Sequence, residues 1–322
     1  MLQRLMGPLP AWTRLDHPVT RYELGQLQPI PRRARYVRAG AVVLLLTVLF
    51  VAGYAIATSF FQRPAGQNLT ESVMAVVYWP LLALQILMQI FALILTVNTV
   101  TEHKRRQTWD NLRATEAGVG LALRIRWVSV YYRLRDLLIF VLAVRALLIL
   151  GILYDLTAFQ GRYIDLLLNG ITPELPPLVG ALLLAFMMTA GLLLPLTSLG
   201  LSAAVGLLFS VLVQQRTYST LVQVVMVVVR TALAAALIVG ATQFVRGELA
   251  TTDLAAGLLM GGFAALGDWG LAFLNLGFFS EVWATIPFFI FAGIALLLFS
   301  ILQSVLSEWI LALAVRLAER NG

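Results

Sequence analysis

The chain contains no cysteine, which excludes disulfides, thiolate metal sites and thiol nucleophiles. Lysine is almost as scarce, with Lys104 the only one. No GxxxxGK[ST] phosphate loop exists around it, so the chain is not itself a P-loop ATPase. The two histidines, His17 and His103, both lie in basic segments and lack HExxH or comparable ligand spacing. A GxSxG elbow and paired carboxylates inside the apolar runs are also missing. No catalytic residue, metal or cofactor is therefore expected, and an enzyme is disfavoured.

Charge is the other deficit. Charged residues make up 12% of the chain and hydrophobic ones 60%, whereas a soluble domain carries about 25% charged residues. So little polar surface cannot cover a chain in water. Apolar runs recur, each long enough to cross a hydrocarbon core of about 30 Å as a helix. They do not alternate with period two, which excludes spanning strands. The expectation is an all-α integral membrane protein with about six transmembrane helices, at 39–61, 72–97, 137–156, 178–213, 221–245 and 284–307. The fourth run fits one helix or two shorter segments, and Pro195, followed by Thr197 and Ser198, marks a kink within it.

The net charge of +7 is distributed unevenly. Arg4, Arg14, Arg21, Arg32, Arg33, Arg35 and Arg38 precede the first run. Lys104, Arg105, Arg106, Arg113, Arg124, Arg126, Arg133 and Arg135 lie between the second and third, Arg216 between the fourth and fifth, and Arg316 and Arg320 near the end. The opposite side has only Arg63, Arg162 and Arg246, while acidic residues such as Glu248, Asp253, Asp268 and Glu281 gather there. The positive-inside rule then places both termini and the 99–136 loop in the cytoplasm. This charge is topogenic and suits anionic lipid headgroups; nucleic acid is not an expected partner. No cleavable signal peptide is visible, so the first run serves as a signal anchor.

The chain divides into a cytoplasmic interfacial segment, 1–38, and a transmembrane domain, 39–322, with a cytoplasmic coupling loop at 99–136 and an outer hairpin at 246–283. Asp16 and Pro18 open a short helix whose Val19, Tyr22 and Leu24 dip into the interface while Arg21 and Glu23 face water. In the loop, TEHKRRQTWDNLRATEAG reads as a short polar helix ended by Gly118, and the subsequent LALRIRWVSVYYRLR as an interfacial run into the third span. The hairpin holds two apolar runs separated by Gly267 and Asp268, each too short to span, which suits a re-entrant or interfacial element. No internal repeat stands out.

Arg145 and Arg230 are charges inside apolar runs. At mid-bilayer an arginine costs at least ~2.5 kcal/mol, so each needs a partner, a carbonyl or water, or else a headgroup or anionic substrate in a cavity. Gln85, Gln89, Thr96 and Thr99 form one polar stripe on the second span, available to a pathway or to a neighbouring helix. Gly257 and Gly261 form a GxxxG pair suited to close packing. Trp109 and Leu112 share a face of the polar loop helix and are candidate anchors for a soluble partner.

Three segments give the chain a resemblance to the permease subunits of ABC-2-type exporters. DHPVTRYELGQLQPIPRRARYVRAG resembles the family's N-terminal stretch before the first span. TEHKRRQTWDNLRATEAG resembles the loop after the second, through Glu102, Thr108, Trp109, Asp110, Leu112 and Thr115. GLLFSVLVQQRTYSTLV resembles the turn between the fourth and fifth. The chain departs from the family pattern at Gln107, where glycine is frequent, and at Glu116, where proline is. The resemblance implies a half-transporter, in a prokaryotic plasma membrane, that dimerises with a second permease subunit and pairs with cytoplasmic ABC ATPase subunits. The 99–136 loop becomes the coupling helix, with the six matching residues as docking candidates. Gln85, Gln89, Arg145 and Arg230 become pathway candidates. The alternative is a non-transporting structural subunit of a larger membrane complex.

Overall fold

The computed structural model describes residues 10–14, 18–24, 69–105, 107–109, 118–158, 177–213 and 215–320, with isolated positions between 33 and 55. The described residues form helices and turns with no strand. The first expected span, 39–61, lies mostly outside them; Gly40, Ala41, Val43, Leu44, Thr47, Val48, Val51 and Ala55 within it are helical.

A 3-10 turn, Ala11–Thr13, precedes α1, Pro18–Glu23. Proline opens α1, where its missing N–H costs nothing. Helix α2, Leu69–Val97, continues almost directly into α3, Thr99–Arg105. Helix α4, Gly118–Arg133, leads through Leu134 into α5, Arg135–Ala158. Then come the long helices α6, Pro177–Leu212, and α7, Arg216–Val245. A hairpin is next: α8, Asp253–Gly262, a π turn, Phe263–Gly267, a 3-10 turn, Ala272–Leu274, and α9, Leu276–Thr285. A 3-10 turn, Pro287–Phe291, then enters α10, Ala292–Arg320.

Five stretches are long and apolar enough to cross a membrane: Val73–Arg105, Arg135–Tyr154, Leu178–Leu212, Thr217–Val245 and Phe288–Arg320. One expected boundary needs revision. The helix that carries the last span continues past 307, from Ala292 to Arg320, because no proline or glycine interrupts it after Gly293. Of the two arrangements open for the fourth run, one helix or two shorter segments, the structure has one helix through Pro195.

Helices α6 and α10 pack against each other most extensively. Gly293 makes this close crossing possible: a Cβ there would overlap the Leu183 carbonyl and sit 3.1 Å from the Met187 amide. Helix α2 lies on the other side of α6, and α5 closes against α2. The core between them contains Leu84, Met88, Val141, Met187, Leu194 and Leu296. Helix α7 is peripheral, with Leu221, Val224, Val228 and Val229 exposed along one face. Large apolar side chains left open on a helix of this kind suit lipid rather than water.

The GxxxG pair splits in use. Gly257 lets α8 lie directly against the Phe288 ring, whereas nothing approaches Gly261.

Candidate functional site

Four polar residues of the apolar runs, Gln85, Gln89, Arg145 and Arg230, converge on the tip of the 246–285 hairpin. Helix α2 and the start of α3 turn the polar stripe inward, so that Gln85, Gln89, Thr96 and Thr99 are all buried. Thr96 and Thr99 hydroxyls donate to carbonyls one turn back, Ala92 and Thr96 respectively, each at 2.7 Å. Gln85 and Gln89 reach across to groups of the hairpin and of other helices instead.

Arg145, on α5, is fully buried. Its Nη1 donates to the carbonyls of Gly191 and, at 2.7 Å, Trp269; its Nη2 donates to the carbonyl of Asp268 at 3.0 Å. The Gly191 acceptor has a local cause. Pro195 lies four residues later and lacks the N–H that would occupy this carbonyl in an unbroken helix. The proline thus leaves an acceptor in mid-helix, and Arg145 takes it. With its amide oriented to satisfy both ends, Gln85 donates to Asp268 O at 3.0 Å and accepts from Arg145 Nη2 at 2.9 Å.

Asp268 is equally buried, and its carboxylate folds the tip. It accepts from the amides of Gly270 at 3.0 Å and Ala272 at 2.8 Å, and from the Tyr78 hydroxyl at 3.2 Å. Arg145 meets this residue through its main-chain oxygen, not its carboxylate. Between them Trp269 adopts φ 58° and Gly270 φ 73°. For tryptophan this is a strained conformation, costing on the order of 1–3 kcal/mol and held only by surrounding contacts.

Arg230, on α7, repeats the arrangement. Its Nε donates to Gln89 Oε1 at 2.7 Å and its Nη2 to the Leu266 carbonyl at 2.8 Å. The four pathway candidates therefore form two Gln–Arg pairs that bracket one hairpin tip. Tyr78, Arg145, Gly191 and Arg230 all lie well inside their helices, so the tip reaches toward the middle of the bundle. Irregular main chain that deep in the bundle is tolerable because its carbonyls find arginine donors.

A second polar cluster occupies the end of the bundle carrying α3 and α4. Glu23, expected to face water, is inside this cluster, with 9% of its side chain exposed. Its carboxylate lies 2.9 Å from Arg126 Nη1 and 3.4 Å from His103 Nε2, and Arg133 donates to its carbonyl at 2.6 Å. Burial by itself raises the Glu23 carboxyl, but His103 and Arg126 outweigh it and hold the pKa below its ordinary value. Burial and the neighbouring Arg126 lower the Arg133 guanidinium, with Glu23 acting in the opposite sense. Arg126 also caps the end of α2, donating to the Leu95 carbonyl at 3.1 Å through Nε and at 2.7 Å through Nη2. On α1, Thr20 donates to the Trp12 carbonyl at 2.9 Å, and Tyr132 of α4 to that of Thr13 at 2.7 Å.

Among the docking candidates, Glu102 pairs with Arg105 at 2.7 Å, and Thr108 donates to the His103 carbonyl at 3.2 Å. Trp109 is buried within the chain itself, against Val100, Val119, Leu123, Leu207, Val211 and Leu311. Its ring braces the segment from inside. Asp110, Leu112 and Thr115 lie outside the described residues, as does Glu116. Gln107 has φ 54° and separates α3 from Thr108 and Trp109; Gly118, expected to end a helix, instead opens α4 with φ 63°. The junction at Asn98 is tied to the turn between α6 and α7. The Val100 amide donates to Ser210 Oγ at 2.8 Å, Ser219 Oγ donates to Asn98 Oδ1 at 2.6 Å, and Asn98 donates to Gln223 Oε1 at 2.8 Å.

No family model, curated protein or solved structure matches the chain.

Residues whose importance the sequence did not disclose are Asp268, Tyr78, Glu23, His103 and Arg126. One signal was available for Asp268, a lone carboxylate between two apolar runs with two intramembrane arginines to satisfy. For Glu23 the comparable signal was an acid within an otherwise basic N-terminal segment.

Proposed function

We propose that the chain is the membrane-spanning permease subunit of an ATP-driven ABC exporter. In this reading it has six spans and cytoplasmic termini, works as a dimer in a prokaryotic plasma membrane, and couples to separate ATP-binding subunits. The observation that carries the reading is a convergence. The three segments resembling the exporter family are far apart in sequence, yet Glu23 of the first, His103 and Trp109 of the second, and Leu207, Ser210, Val211 and Ser219 of the third cluster at one end of the bundle. Gln107 adds to it. Glycine is frequent there in the family, and this chain keeps the left-handed backbone that favours glycine.

The mechanism rests on the connections. A force applied to α3 acts on α2 without slack, since α3 continues α2 and Arg126 caps the Leu95 carbonyl. The same α2 carries Gln85 and Gln89 at the hairpin tip. An ATP-binding partner that grips α3 differently in its open and closed forms would bias α2 between two positions, by the difference in its affinity for them. In this chain Trp109 fixes the shape of the docking segment, and the exposed face of the segment makes the contact.

A structural subunit of a larger complex is the second reading. The observation favouring it is that Gln85 and Arg145 direct their polar atoms into the chain's own hairpin. Purification of the tagged chain in mild detergent, with mass spectrometry of retained proteins, separates the two. Near-stoichiometric recovery of an ATP-binding cassette protein is expected; a stable assembly lacking any ATPase rejects the exporter.

A further inference from the structure

Away from both polar clusters, a cavity of about 350 Å³ opens between α4, α6 and α10. Its wall combines Trp127 and Tyr131 of α4, Leu196 and Gly200 of α6, and Ser304 and Glu308 of α10. The two rings meet edge to face with centroids 5.2 Å apart. Their polar ends are already used: Trp127 Nε1 donates to the Gly200 carbonyl at 2.8 Å, and the Tyr131 hydroxyl to that of Leu196 at 3.0 Å. What these residues can offer an occupant is therefore ring surface. Ser304 is likewise engaged, donating to the Ser300 carbonyl at 3.2 Å.

Glu308 differs. Among the described residues it makes no hydrogen bond and no ion pair, and it is exposed. It lies twenty residues after Phe288, the start of the last apolar stretch. At 1.5 Å per residue that is about 30 Å, the thickness of the hydrocarbon core. Trp309, beside it, is 75% exposed, as an aromatic anchor at the headgroup level would be. A carboxylate at that level is within reach of cationic groups carried by lipid headgroups or by amphiphiles.

We propose that this cavity binds an organic ammonium group attached to an alkyl chain, with Glu308 balancing the charge and the Trp127 and Tyr131 rings receiving the cation. Ring faces attract ammonium groups through their quadrupole, and aromatic surroundings are the common solution for such cations. Leu196 and Leu311 supply the apolar wall against which the chain lies. The volume falls within the range of ligand sites, about 300–1,000 Å³. Gly200 is part of the design: a Cβ there would overlap the Tyr131 hydroxyl and come within 3.1 Å of the Trp127 ring. The site is independent of the transport reading.

The test uses the full chain in nanodiscs of phosphatidylglycerol, titrated with radiolabelled dodecyltrimethylammonium. Saturable binding of one molecule per chain is expected. Glu308→Gln and Trp127→Leu should each weaken it about tenfold, the scale of one lost cation–π or charge contact, and Gly200→Ala should weaken it by displacing both rings. Dodecyl maltoside, with the same chain but no charge, should not compete. Competition by phosphatidylcholine placed in the disc would identify a lipid headgroup as the natural source, and competition by tetraethylammonium alone a soluble cation. Glu308 is exposed, so its glutamine variant should elute and melt like the parent. Equal affinity of that variant, or no saturable binding to the parent, overturns the proposal.

Discussion

Replacing Arg145 with methionine tests the account of the hairpin tip most directly. Methionine keeps much of the arginine stem's volume but removes every donor. The carbonyls of Gly191 and Trp269 and the Gln85 amide oxygen lose this donor together, while the Asp268 carbonyl keeps Gln85 and the Leu271 amide. A buried acceptor left unsatisfied costs about 1–3 kcal/mol, offset in part by no longer burying a charge. Three acceptors left without a donor, less that offset, give an expected loss of about 3–5 kcal/mol. It should be concentrated at the tip, because Trp269 holds its strained φ only while its carbonyl is bound. Thermal melting followed by size-exclusion fluorescence should show the lowered stability. Hydrogen exchange should accelerate at the Gly270 and Ala272 amides, which donate to the Asp268 carboxylate, while the α6–α10 crossing stays protected. Arg145→Lys should fall between, since an ammonium cannot reproduce the guanidinium fork across several carbonyls. A methionine variant that melts with the parent and exchanges at the parent's rate would refute the clamp.

Gly293→Val should overpack the α6–α10 crossing against the Leu183 carbonyl and cost about 1–3 kcal/mol or more, read as a lower melting temperature. Glu23→Gln should release α1 from α4, seen as faster proteolysis within 10–24. In the parent the depressed Glu23 carboxyl contributes stability in full above its ordinary value near 4.5, and that contribution disappears as the pH falls through the lower folded value. Proteolytic protection of α1 should track that course, and in the glutamine variant it should not. Trp109→Ala removes a ring that is 5% exposed and should cost about 3–5 kcal/mol within the α3–α4 region, with reduced co-purification of an ATPase; Trp109→Phe should restore most of both.

What the sequence disclosed was whatever depends on short range. The stripe Gln85, Gln89, Thr96, Thr99 was legible because helical spacing alone puts these residues on one face, and that face is buried. Pro18 as the first residue of α1 was legible for the same reason. Their partners were not. Arg145 meets Asp268 across 123 residues and Glu23 meets Arg126 across 103, and no periodicity reports a contact at that range. Glu23 was misplaced because an acid beside Arg21 on an amphipathic turn reads as solvated, and the cations of α3 and α4 come from elsewhere. Pro195 was read as a kink; its consequence, a carbonyl released for an arginine on another helix, needed the third dimension.

The same arginine constrains how the protein can be made. When α5 leaves the ribosome, none of the groups that neutralise Arg145 on the far side of the cluster exists yet. Gly191 emerges 46 residues later, and Trp269 emerges 124 residues later. Of Gly191, Trp269, Asp268 and Gln85, only Gln85 is made before then, and a guanidinium so little compensated is worth about 2.5–3.5 kcal/mol against entering the bilayer centre. Its settling is therefore a late event of biogenesis, completed only when the hairpin packs against α5 and α6. A ribosome-bound intermediate stopped before the hairpin would hold α5 shallow or still shielded by the insertion machinery, and would depend on that machinery more than the finished protein does.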